Sequence, residues 1–199
     1  MRDDLFLRGQ KVPMTKEAVR ALALERLELP CYGHLIDVGA GTGSVALEAA
    51  MRFPDLQVTA IERNPAALAL ISENRQRLGC HNVAIIAGVA PLANTAAGVA
   101  PLANTAAADA IFIGGSGGHL TDLIDWALMT LKPDGRLVLT FILLNNLNDA
   151  LAHLQRCAVS QLDCVQLQLS TLTPLGSGHY FKPNNPTYLI SCHKEARNV

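Results

Sequence analysis

The 199-residue chain predicts an α/β fold: a doubly wound, mostly parallel seven-stranded sheet with helices on both faces and an antiparallel hairpin at its C-terminal edge. Three observations carry this expectation. Apolar runs of strand length alternate with longer segments of helical periodicity, and such alternation implies parallel strands joined by crossover helices. The first of these runs opens into a glycine-rich turn, "DVGAGTG" at 37–43. The last two strand candidates follow one another with only a loop between them.

Taken in order, residues 15–28, "TKEAVRALALERLE", space apolar side chains at helical intervals behind Thr15, which is able to cap the first turn. "HLIDVG" at 34–39 reads as a buried strand, and "TGSVALEAAMRF" as the helix leaving it. "LQVTAIE" at 56–62 is a second strand, followed by the helix "NPAALALISENRQRLG" with Asn64 as cap and Pro65 at its first position. "NVAIIA" at 82–87 is a third strand. Then come "ADAIFIG" as strand, "GHLTDLIDWALMTLKPDG" as helix, "RLVLTFIL" as strand and "NNLNDALAHLQRCA" as helix. "DCVQLQL" and "TYLISC" close the chain as strands, separated by the long segment "STLTPLGSGHYFKPNNP" at 170–186, which reads as a loop of functional length.

Half of the residues are hydrophobic and 17% are charged, so the chain reads as one dense domain over 1–199. A net charge of −1 argues against a nucleic-acid footprint. No apolar run approaches the roughly 18 residues of a membrane span, and "MRDDLFLRG" lacks a signal-peptide core, so a cytoplasmic protein is expected. Five cysteines, at 31, 80, 157, 164 and 192, form no CxxC pair and read as buried, reduced thiols, with no metal cluster expected.

A glycine-rich turn between a buried strand and a helix lets the backbone approach a ligand closely while the helix N-terminus supplies amide donors. That suits a nucleotide-like ligand without distinguishing a dinucleotide from other adenosine cofactors. Glu62 ends the second strand about 20 residues after the glycines, where a carboxylate accepts from ribose hydroxyls. A dinucleotide fold would retain GxGxxG, but Ser44 and Val45 follow Gly43 directly.

"HLIDVGAGTGSVALEAA", "VTAIERNPAAL" and "LKPDGRLVLT" resemble the ordered motifs of class I S-adenosylmethionine-dependent methyltransferases. With "FLRGQKVPMTKEAVRALAL", "DAIFIGGSGGHL" and "LTPLGSGHYFKPNNPTYLI", the likeness extends over nearly the whole chain to the decarboxylating C15-methyltransferases of cobalamin biosynthesis, which act on cobalt-precorrin-6B. The resemblance implies S-adenosylmethionine as cofactor, a tetrapyrrole as substrate, a homo-oligomer of tetramer size, and the C5-methyltransferase of the same pathway as a partner. It places the cofactor against Thr15, Asp37, Gly39, Ala40, Gly41, Thr42, Gly43, Glu62, Arg63, Gly88, Val89 and Ala90. Family members often carry an acid where this chain has Val89, which predicts loss of a side-chain contact to the adenine.

The resemblance also places the substrate beside Gly114, Gly115, Ser116, Gly117 and Gly118, where missing side chains leave room for a rigid macrocycle, and beside His179, Tyr180 and Lys182. Arg8, Lys11 and Lys16 are further candidates for its carboxylates. Ser116, His119 and His179 are the candidates for catalysis, which is expected to work largely by placement. A methyltransferase for RNA or a protein carboxylate, or a cofactor-binding subunit without turnover, are the alternatives.

The ten residues "GVAPLANTAA" occur at 88–97 and again at 98–107. A tandem copy preserves both junctions, so the 88–107 segment is expected to be an enlarged loop whose ten added residues cost roughly 1 kcal/mol on the surface. Gly88 to Pro91 of the first copy are expected to keep the cofactor contact.

Overall fold

The structure is a computed structural model that describes residues 1–10, 12–30, 33–90, 107–115 and 118–196. Lys11, Cys31, Ser116, Gly117 and residues 91–106 of the duplicated segment lie outside the described residues.

Strands β1 (Gly33–Val38), β2 (Leu56–Glu62), β3 (Val83–Ala87), β4 (Ala108–Ile113), β5 (Leu131–Phe141), β6 (Val159–Leu167) and β9 (Thr187–Lys194) form one sheet in the order β3-β2-β1-β4-β5-β9-β6. The first five are mutually parallel, and β9 lies between β5 and β6, antiparallel to both. The C-terminal hairpin is therefore present, but its last strand is inserted and β6 forms the edge.

Side chains of a strand alternate between faces, and the core divides accordingly. Leu35, Val58, Ala110 and Phe112 pack against α1 (Glu17–Arg26), α2 (Ser44–Arg52) and α3 (Pro65–Leu78). Ile36, Ile61, Ile111, Ile113 and Leu137 pack against α4 (Leu120–Thr130) and α5 (Leu144–Leu154). The chain order reverses between β1 and β4, so the loops after these strands part to opposite faces and leave a crevice at the carboxyl edge.

Asn64 caps α3 as its sequence predicts, its side chain accepting from the N–H groups of Ala66 and Ala67. Thr15 does not cap α1: the helix starts at Glu17 behind Lys16, without a side-chain cap. The carbonyl of Thr15 is drawn instead to the Arg20 guanidinium, 2.6 Å away. A second correction concerns residues 170–186, which are not a structureless loop. β7 (Ser170–Leu175) and β8 (Gly178–Pro183) pair there as a two-stranded sheet. Both strands are exposed almost throughout, so neither carries the one-sided apolar alternation by which a strand is read.

Cys80 and Cys192 are buried, but Cys164 is exposed on the edge strand β6, contrary to the expectation for all five thiols. Among the described residues, no helix is long and apolar enough to cross a membrane.

Candidate functional site

The turns that leave β1, β2, β3 and β4 are joined to one another at the carboxyl edge of the sheet. Gly39 and Ala40 donate to the Ile61 carbonyl at 2.9 and 3.1 Å, Gly88 donates to the Glu62 carbonyl at 2.9 Å, and Gly114 donates to the Val38 carbonyl at 2.9 Å. The Glu62 carboxylate is the hub. One oxygen accepts from Gly41 at 2.8 Å, and the other accepts from Arg63 and Asn64, each at 2.8 Å.

Two positive-φ glycines shape this turn. At Gly41 (φ +57°) a Cβ would stand 2.6 Å from the Pro13 carbonyl oxygen, and at Gly39 (φ +72°) it would stand 3.0 Å from the Gly115 nitrogen. Side chains there would push away both the N-terminal segment and the turn after β4.

A cavity of about 270 Å³ runs along this edge, walled by Gly39, Gly41, Glu62, Arg63, the segment Gly88–Ala90, and Gly114 with Gly115. Of the residues expected at the cofactor, Asp37, Ala40, Thr42 and Gly43 are buried in the turn and do not line the cavity. Thr15 lines a neighbouring cavity instead. Val89 is exposed in the cavity wall.

Two buried oxygens beneath the turn, Asp37 Oδ1 and Thr42 Oγ1, have no hydrogen-bond partner among the described residues. The other Asp37 oxygen accepts from Ala46 at 3.0 Å. Burial pushes this carboxyl up to about 7; the Ala46 N–H lowers it only in part, and the negative Glu62 raises it further. Orphaned oxygens under a glycine cradle fit a ligand whose cationic amino-acid end meets a carboxylate, as in S-adenosylmethionine.

Because its pKa is raised on folding, Asp37 contributes stability that is complete below the unfolded value and is lost as pH rises toward 7. Binding of an ammonium group calls for the ionised form. The affinity for S-adenosylhomocysteine is therefore expected to fall, approaching tenfold per pH unit, as pH drops below about 7. Asp37→Asn should flatten that profile, weaken binding and raise the melting temperature of the free protein above neutral pH. Calorimetric titration across pH checks this; an unchanged slope in the variant would remove Asp37 from the site.

The second cavity, of about 690 Å³, shares Pro13, Gly114 and Gly115 with the first. Its walls come from Arg8 and residues 12–16 of the N-terminal segment, from Thr140 to Leu143 at the end of β5 and just beyond it, from Asn146, and from Pro183, Asn184, Asn185 and Thr187 at the base of the β7–β8 hairpin. Arg8 and Lys16 are thus brought to the cavity. His179, Tyr180 and Lys182 lie on exposed β8 and line neither cavity, and His119 is exposed at the N-cap position of α4.

Sequence reasoning missed Asn146, Asn184 and Asn185, and also the residues that seat the N-terminal segment. Fully buried Asn74 of α3 accepts from the Leu7 N–H at 2.7 Å and donates to the Leu7 and Thr42 carbonyls at 3.1 and 3.0 Å, tying that segment to the glycine turn. Arg20, also fully buried, bonds Glu48, Asp3 and Thr15, with its guanidinium 4.9 Å over the Phe6 ring. A polar residue in a helical run reads locally as solvated, so only the packing reveals these roles.

A family profile described as a precorrin methyltransferase domain matches residues 5–194. The cobalt-precorrin-6B C(15)-methyltransferase (decarboxylating) of Salmonella typhimurium is 64% identical over 199 residues, covering 100% of this chain and 98% of that protein. Among solved structures, a precorrin-8W decarboxylase of Methanobacterium thermoautotrophicum superposes with a TM-score of 0.84 at 32% identity, covering 96% of this chain and 98% of that one. A precorrin-6Y C5,15-methyltransferase of Geobacter metallireducens gives 0.83 at 32% identity, covering 98% and 97%.

Proposed function

Since the chain belongs to the precorrin methyltransferase domain family, we propose that its two adjoining cavities serve methylation at C15 of cobalt-precorrin-6B, coupled to decarboxylation of the C12 acetate side chain, in cobalamin biosynthesis. The observation that carries this reading is the shared wall: Pro13, Gly114 and Gly115 border both the glycine-turn cavity and the larger one. Two ligands seated there would meet at backbone, with no side chain of residues 114 and 115 between them.

S-adenosylmethionine is the cofactor, and it supplies an electrophilic methyl group when bound. Glu62 and the segment Gly88–Ala90 would hold its nucleoside, and the turn at Gly39 and Gly41 its amino-acid end with Asp37 beneath. The chain's own contribution at the larger cavity is placement. Arg8 and Lys16 offer cations to the carboxylates of a tetrapyrrole, while Phe141, Ile142 and Leu143 offer an apolar wall to its ring. Ser116, His119 and His179 are the candidates for proton handling, and His179, Tyr180 and Lys182 of the exposed β8, outside both cavity walls, are the candidates for contact with the substrate's carboxylates.

The exposed Leu172, Leu175 and Phe181 of that hairpin support self-association, which we assign as a cytoplasmic homo-tetramer. A two-stranded hairpin with open apolar side chains is marginal alone and gains by being covered. The C5-methyltransferase of the same pathway is the partner that this reading proposes.

The test is incubation with cobalt-precorrin-6B and methyl-labelled S-adenosylmethionine, read by mass spectrometry. One labelled methyl should be gained and one carbon dioxide lost. Binding of S-adenosylhomocysteine without turnover would support a non-catalytic subunit instead. A chain lacking residues 98–107 should bind and turn over like the full chain, because Gly88–Ala90 of the first copy already stand in the cavity wall. Recovery of binding only in the shortened chain would show that the duplication displaces the adenine turn.

A further inference from the structure

Three side chains with metal-binding atoms converge on the face of the sheet covered by α4 and α5, in neither cavity wall. Asp125 comes from the middle of α4, His153 from the last turn of α5, and Cys157 from the turn that follows. Their ligand atoms all lie within 4.8 Å of one another. His153 Nε2 is 2.7 Å from Asp125 Oδ1, and the Cys157 thiol donates to the His153 carbonyl at 3.3 Å, which holds the sulfur beside the imidazole. The sequence alone offers only the four-residue spacing of His153 and Cys157, because Asp125 joins them by tertiary packing.

We propose that Asp125, His153 and Cys157 form a Zn²⁺ site, with one carboxylate oxygen, one imidazole nitrogen and one thiolate as protein ligands and water as the fourth. A thiolate with an imidazole selects a borderline-soft cation over Mg²⁺ or Ca²⁺. Tetrahedral zinc with bonds of about 2.0–2.3 Å puts its ligand atoms about 3.3–3.7 Å apart. The Asp125–His153 pair would open and the thiol close by about 1 Å, within reach of side-chain rotation. Binding displaces the thiol proton to solvent.

The ion would brace α4, which starts shortly after Gly118, against α5, which leaves the Ile142–Leu143 wall of the larger cavity. This inference is independent of the substrate assignment.

The experiment is calorimetric titration of the reduced, chelator-stripped full chain with Zn²⁺, and of Asp125→Asn and Cys157→Ser, with Co²⁺ as spectroscopic probe. One ion should bind per chain, the melting temperature should rise with it, and each variant should weaken binding more than about tenfold. Co²⁺ should give a thiolate-to-metal charge-transfer band that Cys157→Ser abolishes. Asp125 is half exposed, so its variant tests the site even if Cys157→Ser fails to fold. Absence of stoichiometric binding, unchanged affinity in Asp125→Asn, or a Co²⁺ complex without the thiolate band would each overturn the proposal.

Discussion

Glu62→Ala is expected to weaken S-adenosylhomocysteine binding by about 30-fold to 1,000-fold, the equivalent of about 2–4 kcal/mol. The buried carboxylate accepts three backbone N–H bonds, from Gly41, Arg63 and Asn64, and these hold the glycine turn and the end of β2 in one arrangement. Removing a charged acceptor leaves three donors without it and also takes away the oxygens proposed to hold a ribose. Glu62→Gln keeps one acceptor oxygen and should lose only about tenfold. Titration of the two variants, with melting curves to confirm folding, separates the ranks. An alanine variant that binds within about threefold of the parent would show that Glu62 neither contacts the ligand nor holds the turn in a form binding needs.

Gly115→Leu should abolish turnover by about 100-fold or more while the fold survives. A Cβ at residue 115 meets no heavy atom within 4 Å, so a side chain is accommodated, and it projects from the wall shared by the two cavities. The melting temperature should stay within about 3 °C of the parent. Cofactor-product affinity should fall less than turnover does, because most of the smaller cavity is built by other turns. Unaltered turnover in a folded Gly115→Leu protein would mean that the reacting groups do not meet there.

Much of the cofactor site is legible in the sequence because it is built from local signals. "DVGAGTG" needs left-handed backbone at Gly39 and Gly41, conformations favoured by glycine, and Asn64-Pro65 states the start of α3 in two residues. Glu62 follows from its place at the end of the second strand, about 20 residues after the glycines. The larger cavity is far less legible. Its wall gathers segments near residues 8–19, 114–115, 140–146 and 183–187, and no spacing in the chain announces that these meet. The exposed hairpin of β7 and β8 escaped for a related reason, since strands buried on neither face lack the alternation that betrays a strand.

Asn74 and Arg20 mark the boundary most clearly. Each is a polar residue in a helical run, and each is fully buried because the N-terminal segment folds back over its helix and supplies carbonyls and a carboxylate. The sequence by itself determined the order of the elements in the main sheet and its helices, the parallel strands and the glycine turn after β1, because these rest on periodicity and backbone chemistry within a few residues. Only the tertiary structure decided which distant segments close the second cavity, which polar side chains are buried, and that Asp125 meets His153 and Cys157. Those outcomes depend on contacts between residues far apart in the chain, whose energies no local pattern encodes.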